Sequence, residues 1–486
     1  MSRSRFPLTR ALDLCAALVA AAIIVFVCLG GVVLLPLNRA GHLWTAQWTV
    51  VALGVFAVLT MPPRRWAAWA PWTFIAVWAV LFAWMPHALA VAPDARAADI
   101  ELRRFVQCLI YSAALLACAR GARLGLAGVR VGWLLALLTC GGIGLWEVLT
   151  ANHLLFLDPV RGWVFGPRMP AATFLNPNNL AAMLIGMIAG AWALRSGLRW
   201  LWARVALDVV VVLGSVVVVF TQSRAGLLAL AVVYALELWR RWPLWHAGHR
   251  ERAAAGGGAS SDGNGEPGPG HEREDGTETE AGDAGAAAKG PRWSRRWTLG
   301  AGGALAALAV ASVTIPALAR RNPVVEMVGM LFDDETARSD GLRLQLIRAA
   351  LRYLRESGWT GSGAGSFEPL LWADPEPGVV KLTNLHNAFI ELLSQYGLVV
   401  GATHALSLIA LLAVAASPRY LPRDNRVEIL GYLTAFFAFG IVASSSLTIP
   451  GWWLLQASAA ASWWAAARER TPQPAESHAL GRSSET

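Results

Sequence analysis

Apolar runs, each long enough to cross a bilayer, alternate along this chain with short basic segments. A hydrocarbon core about 30 Å thick takes roughly 20 residues of helix. Twelve runs qualify, near 12–36, 43–61, 68–90, 104–120, 129–150, 177–194, 204–221, 225–242, 298–318, 397–416, 427–447 and 451–467. If the N-terminus is cytoplasmic, the inside segments receive Arg3, Arg5 and Arg10, then Arg64 and Arg65, then Arg120, Arg123 and Arg130. Arg195, Arg199 and Arg204 follow, then Arg240 and Arg241, then Arg419, Arg423 and Arg426, and last Arg468 and Arg470. Every inside loop is thus basic, as the positive-inside rule requires, and an even number of spans returns the C-terminus to the cytoplasm. The apolar stretch from Leu12 to Leu35, preceded by Arg3 to Arg10, is too long for a signal h-region and reads as a first span.

The pattern predicts an all-α integral membrane fold of about twelve transmembrane helices with a partly helical loop domain on the outer side. Residues 1–242 hold eight spans, 243–297 a disordered cytoplasmic linker, 298–318 the ninth span and 319–396 the external loop domain. Residues 397–467 hold the last three spans, and 468–486 form a cytoplasmic tail.

Composition agrees with a membrane protein. Of 486 residues, 56% are hydrophobic and 15% charged, whereas soluble domains run at about 45–50% and about 25%. The 24 Trp fit an interfacial belt. A formal charge of +9 raises nucleic acid as a partner, but the basic residues sit between membrane runs and serve topology, so no nucleic acid is expected. Between His246 and Gly290 there is no large apolar residue, so nothing there can form a core. That linker has four basic against nine acidic residues, a net −5, which leaves +14 for the rest. Cys15, Cys28, Cys108, Cys118 and Cys140 lie in or beside apolar runs without metal-ligand spacing, so neither a disulfide framework nor a zinc site is predicted.

Chemistry is expected in the outer loops, because loops on a rigid scaffold host most binding sites. In Ser339 to Glu356, helical spacing puts Leu346, Ile347, Ala350, Leu351 and Leu354 on one face, with Arg348, Arg352 and Arg355 opposite, assigned to solvent or lipid headgroups. Arg343 falls within the apolar face. A guanidinium does not deprotonate, so a buried one needs an anion. The alternatives are an internal ion pair with Asp333, Asp334 or Asp340, or an exposed first turn. In Leu385 to Gly401, His386 shares a face with Phe389, Ile390 and Leu393, while Glu391 and Gln395 point away. Placed in the first helical turn, its imidazole stays neutral and serves as a general base; the alternative is a structural histidine. Arg224, in the short turn Thr221 to Gly226, and Arg168, just before a span, lie outside and close to the bilayer. Snorkelling to the outer headgroups is the alternative for Arg224. Asn176, Pro177, Asn178 and Asn179 read first as a turn and helix cap. Gly361, Gly363 and Gly365 follow a helix rather than a strand and read as a tight turn, and Asp333-Asp334-Glu335 as a solvated acidic loop.

Ser-Arg-Ala-Gly at 223–226, the Arg343 helix leading into 361–367 (GSGAGSF), and 386–391 (HNAFIE) before Gly397 and Gly401 together resemble the O-antigen ligase and polymerase superfamily. The matching stretch covers about residues 165–401. The turn reads Ser-Arg-Ala-Gly where many relatives have Ser-Arg-Gly, and the Gly/Glu-rich linker is an insertion. The resemblance implies a multi-pass protein of the bacterial inner membrane whose loop domain and active site are periplasmic. It implies an inverting, metal-independent glycosyltransferase with no cofactor, taking its glycan from an undecaprenyl-diphosphate-linked donor.

On that reading Arg343 and His386 are catalytic and Arg224 and Arg168 bind substrate. The arginines hold the diphosphate and His386 orients or deprotonates the acceptor hydroxyl. Lipid A-core is the favoured acceptor, since the external loop is a single moderate segment with no large domain after the last span. A second lipid-linked glycan, for a polymerase, or a protein Ser or Thr remains open. A transporter or lipid flippase is the alternative of a different class. It predicts ionisable residues near mid-span and inverted repeats, whereas Glu147, Asp208, Glu237 and Glu428 all lie near span ends.

Overall fold

In a computed structural model the described residues are 6–39, 72–121, 124–155, 165–174, 176–257, 334–374, 384–442 and 446–470. All regular structure among them is helical. The helices are α1 (Phe6–Arg39), α2 (Trp72–Ala90), α3 (Ala95–Gly121), α4 (Gly125–Thr150), α5 (Pro177–Arg195), α6 (Leu201–Phe220) and α7 (Arg224–Gly257). They continue with α8 (Asp334–Glu356), α9 (Phe367–Ala373), α10 (Ala388–Ala416), α11 (Arg423–Val442) and α12 (Pro450–Arg470), with a 3₁₀ turn at Ser446–Thr448. The chain divides into two units, one of Met1–Glu237 with Glu326–Thr486 and one of Leu238–Val325; of the second, the described part is the helical stretch 238–257.

Among the described residues, six stretches are long and apolar enough to cross a membrane: Arg10–Gly30, Ala95–Ala119, Gly125–Thr150, Pro177–Arg195, Leu201–Phe220 and Ala388–Ala416. In hydrocarbon every backbone polar group must find its partner within the segment, which selects helices. Of the twelve expected spans, 43–61 and 298–318 lie outside the described residues, while 68–90, 225–242, 427–447 and 451–467 fall largely on α2, α7, α11 and α12, which are helical but not among the six.

Helix α5 is the axis of the first unit. Every residue from Leu180 to Ala193 is buried, and α4, α6 and α11 pack around it. Its Ala-rich sequence lets neighbouring backbones approach closely, the way membrane helices associate when lipid is as apolar as their side chains. Trp133 of α4 donates through Nε1 to Ser458 Oγ of α12 at 2.9 Å, which satisfies both polar atoms inside the bundle. Leu135, Leu138 and Leu149 of α4, Val209 and Leu213 of α6, and Leu406 and Ile409 of α10 are exposed, as a lipid-facing surface requires.

The two ends of the bundle differ in chemistry. At one end Arg130 Nε and Nη2 donate to the buried Glu428 carboxylate at 3.0 and 2.6 Å, and Ser462 Oγ donates to it at 2.7 Å. There too Arg195 makes a fork with Asp208, and Arg426 donates to the last carbonyls of α10 at Ala415 and Ala416. A cation at a helix C-terminus meets the negative end of its dipole. These are the arginines that the sequence assigns to the inside. The sequence-predicted site residues gather at the other end.

Candidate functional site

Helices α5, α7, α10 and α12 start at that end, while α2, α4, α6 and α11 finish there. Contacts tie their tips together. Phe389 packs edge-on against Trp452, the tip of α12 reaches Met183 of α5 through Gly451, and Gly226 of α7 lies against Ala181 of α5. Helix N-termini carry unpaired N–H groups and positive dipole ends, so this end is electrostatically suited to an anion.

The turn before α7 explains its Ser-Arg-x-Gly pattern. The Gly226 N–H donates to Ser223 Oγ at 3.2 Å, so Ser223 caps the helix, and Thr221 Oγ1 closes the end of α6 on the Val218 carbonyl. A Cβ at Gly226 would stand 2.7 Å from that of Ala181, so glycine is what lets the turn close on α5. Arg224 is the first residue of α7 and half-buried.

Arg168 is exposed, in a loop organised by a residue that the sequence marked only as a span-end charge. Glu147, buried at the end of α4, accepts from the N–H groups of Ala171 and Ala172 at 2.9 and 2.8 Å and of Leu154 at 3.0 Å. His153 Nε2 lies 3.2 Å from the Pro167 carbonyl, and Thr173 Oγ1 donates to the Cys28 carbonyl at 2.5 Å. The loop then enters α5 through the cap read from the sequence: Asn176 accepts from the Asn178 N–H at 2.8 Å, with Pro177 at the first helical position.

A second, smaller core joins the elements that carry Arg343 and His386. Leu346, Ala349, Ala350, Tyr353, Phe367, Leu371 and Leu385 are buried together, with Leu342 and Ile390 packed on them. Arg343, half-buried, lies one turn before Leu346, and His386, also half-buried, directly follows Leu385. The structure therefore brings Arg343 and His386 to the same small core, and places Arg224 with Arg168 around the start of α5. Two details differ from expectation. Leu351 is exposed and Tyr353 buried, so the buried face of α8 is rotated. Arg352 pairs with Asp374 and lies over the Tyr353 ring, instead of facing solvent alone.

His386 is not in the first turn of α10, where the sequence placed it. The cap is Asn387, whose side chain accepts from the Phe389 and Ile390 N–H groups at 3.2 and 3.1 Å. His386 precedes it in the left-handed region, φ 51°, its own N–H held by Asn384 Oδ1 at 3.2 Å. Among the described residues the non-glycine positions with positive φ are Ala151, Ala172, Gln222, Trp359 and His386. They all fall at this end of the bundle. Such conformations cost on the order of 1–3 kcal/mol each and concentrate where surrounding structure enforces them for function.

The loop 361–366 seats the second core on the bundle. Gly361, Gly363 and Gly365 all have positive φ, forming the tight turn expected from the sequence. The Ala364 N–H donates to the Ala88 carbonyl at 2.9 Å, and Gly363 lies against the backbone of Ala92 in the α2–α3 corner. On the α10 side, Gly397 (φ 84°, ψ 177°) breaks the helix. Its break frees the Ser394 and Gln395 carbonyls, which accept from Ser362 and Gly363 at 2.8 and 3.0 Å, while the Leu398 N–H donates to the Trp359 carbonyl. Glu391 and Gln395, expected to point away, are buried against this loop. Their sequence signal was a polar pair four residues apart near the start of a mostly apolar helix. Tyr396 Oη donates to Glu101 of α3 at 3.0 Å from the same strip.

The fold and site define a helical membrane protein with half-buried arginines and a histidine gathered at one end of its bundle. Residues 284–405 match the O-antigen ligase family, which places this segment, with α8, the 361–366 loop and His386, in the O-antigen ligase superfamily. No curated protein matches the chain. The match, over about a quarter of the chain, supports a glycan-transfer role at a membrane and suggests a glycosyltransferase-like enzyme.

Proposed function

We propose that the protein transfers a preassembled glycan, with inversion and without a metal, from undecaprenyl diphosphate to an acceptor at the periplasmic face of the inner membrane. Lipid A-core is the favoured acceptor. The acceptor hydroxyl attacks the anomeric carbon from the face opposite the diphosphate. The new acceptor O–C1 bond forms as the C1–O bond to phosphate breaks, His386 takes the hydroxyl proton, and undecaprenyl diphosphate leaves. Arg343 and Arg224 present the planar fork of donors that phosphate oxygens accept, and stabilise the negative charge gathering on the leaving group. Arg168, exposed on the Glu147-bound loop, binds the same donor at the headgroup level.

The observation that carries this reading is the small core that seats the Arg343 helix beside His386. It gives a base and a phosphate-binding cation a common rigid support, and alignment of bound reactants accounts for much of the acceleration open to such an enzyme. The test uses purified protein in lipid with an undecaprenyl-diphosphate glycan, offered lipid A-core, a second carrier-linked glycan and an acceptor protein separately. Transfer to lipid A-core that persists in excess chelator is expected. Transfer to one of the other acceptors alone would replace the ligase reading by a polymerase or a protein glycosyltransferase, and loss of activity on chelation would contradict the metal-independent mechanism.

A further inference from the structure

Between the elements that carry Arg343 and His386 lies a polar bridge that the transfer chemistry does not use. Gln395 is 2% exposed, on the helix that follows His386. Its Oε1 accepts from the Gly365 N–H at 2.6 Å and its Nε2 donates to Glu391 Oε1 at 3.4 Å. Backbone bonds hold the near side of the loop, at Ser362 and Gly363, to α10. The carboxamide holds the far side, at Gly365, where the chain turns towards α9 and the second core. One planar group that both accepts and donates suits a site flanked by a backbone N–H and a carboxylate. A carboxylate at 395 would accept from Gly365 but face Glu391, and Glu101 on the other side of the Gly365 N–H, with like charge in a buried setting.

We propose that Gln395 is a positioning residue for glycan transfer: through Gly365 it fixes the loop leading from the Arg343 helix against the helix that follows His386, and so sets the spacing of the two groups. This rests on the roles proposed above for His386 and Arg343. Loss of the bond to Glu391 would leave the buried Gln395 Nε2 without that partner.

The test compares variants in the same lipid preparation, each checked for insertion and monodispersity. Displacing reacting groups by about 1 Å costs on the order of 100-fold, so Gln395→Ala is expected to lower kcat by about 10- to 100-fold with the KM for the lipid-linked donor changed by less than about threefold. Glu391→Gln alone is expected to stay near wild type, because the introduced carboxamide oxygen still accepts from Gln395. Gln395→Glu alone is expected to fail like Gln395→Ala. Combining Glu391→Gln with Gln395→Glu reverses donor and acceptor within the pair, keeps the bond to Gly365, and is expected to restore at least a third of the wild-type kcat, roughly, as a rebuilt hydrogen bond should. If Gln395→Ala keeps the wild-type kcat, or the exchanged pair is no better than Gln395→Glu, the proposal is overturned. His386→Ala in the same series separates the two claims. Its inactivity beside an unaffected Gln395→Ala defeats the positioning role alone, whereas wild-type transfer by His386→Ala defeats the catalytic reading on which that role stands.

Discussion

At His386 the backbone leaves the helical path, and the residue that caps the helix is its neighbour Asn387. The periodicity of 385–401 cannot tell a first-turn histidine from one just ahead of the cap, because Asn387 fits either register. The motif glycines are clearer. Gly363 has φ 103°, and a Cβ there would come within 2.5 Å of the Ala92 Cα and 2.7 Å of its nitrogen, both backbone atoms that cannot rotate aside. Gly363→Ala is therefore expected to destabilise the protein by more than about 1 kcal/mol and, by shifting the loop, to lower transfer at least about tenfold. Thermal melting beside a rate assay checks both; an unchanged rate would show that the loop does not set the site. Glu147 shows the limit of sequence reading at this scale. It was visible as a carboxylate at a span end, but its partners, the N–H groups of Leu154, Ala171 and Ala172, are backbone donors that no pattern of side chains announces.

Among the elements, the most legible were those whose pattern is local. Apolar length gave α5 and α6, and Asn176 with Pro177 marked where α5 begins. Helix α8 was legible as a helix, yet its buried face turned towards Tyr353, because the face is chosen by α9 and Leu385 across a chain separation that periodicity does not encode. Ion pairs between elements are similarly silent. Arg130 and Glu428 are far apart in sequence and meet between α4 and α11, with the carboxylate buried and the arginine about a fifth exposed. Removing one partner of a buried pair costs about 3–5 kcal/mol; the partial exposure of Arg130 puts the expected loss for Glu428→Gln near the lower limit, about 3 kcal/mol or less. Melting in detergent is expected to fall while the donor KM stays at the wild-type value, since the pair sits at the end away from His386. A changed KM with unchanged melting would mean that this network serves substrate binding.

At the scale of the whole molecule, the two ends of the helical bundle are chemically unlike. One end gathers arginines that hold helix carbonyls and carboxylates, and the opposite end gathers the capped helix starts, the positive-φ residues and the four predicted site residues. This division was readable from the sequence as charge that alternates between loops. The clustering within the site end was not, because it depends on Glu147, Gln395 and the Gly397 break folding distant loops together. The central claim is that His386 serves as the base of a glycan transfer whose diphosphate leaving group is held by arginine. The most direct measurement is the rate of glycan transfer from undecaprenyl diphosphate to lipid A-core in proteoliposomes, comparing wild type with His386→Ala at equal amounts of inserted, folded protein. Loss of a general base predicts a fall in kcat of about 100-fold or more. Transfer by His386→Ala at the wild-type rate would contradict the account.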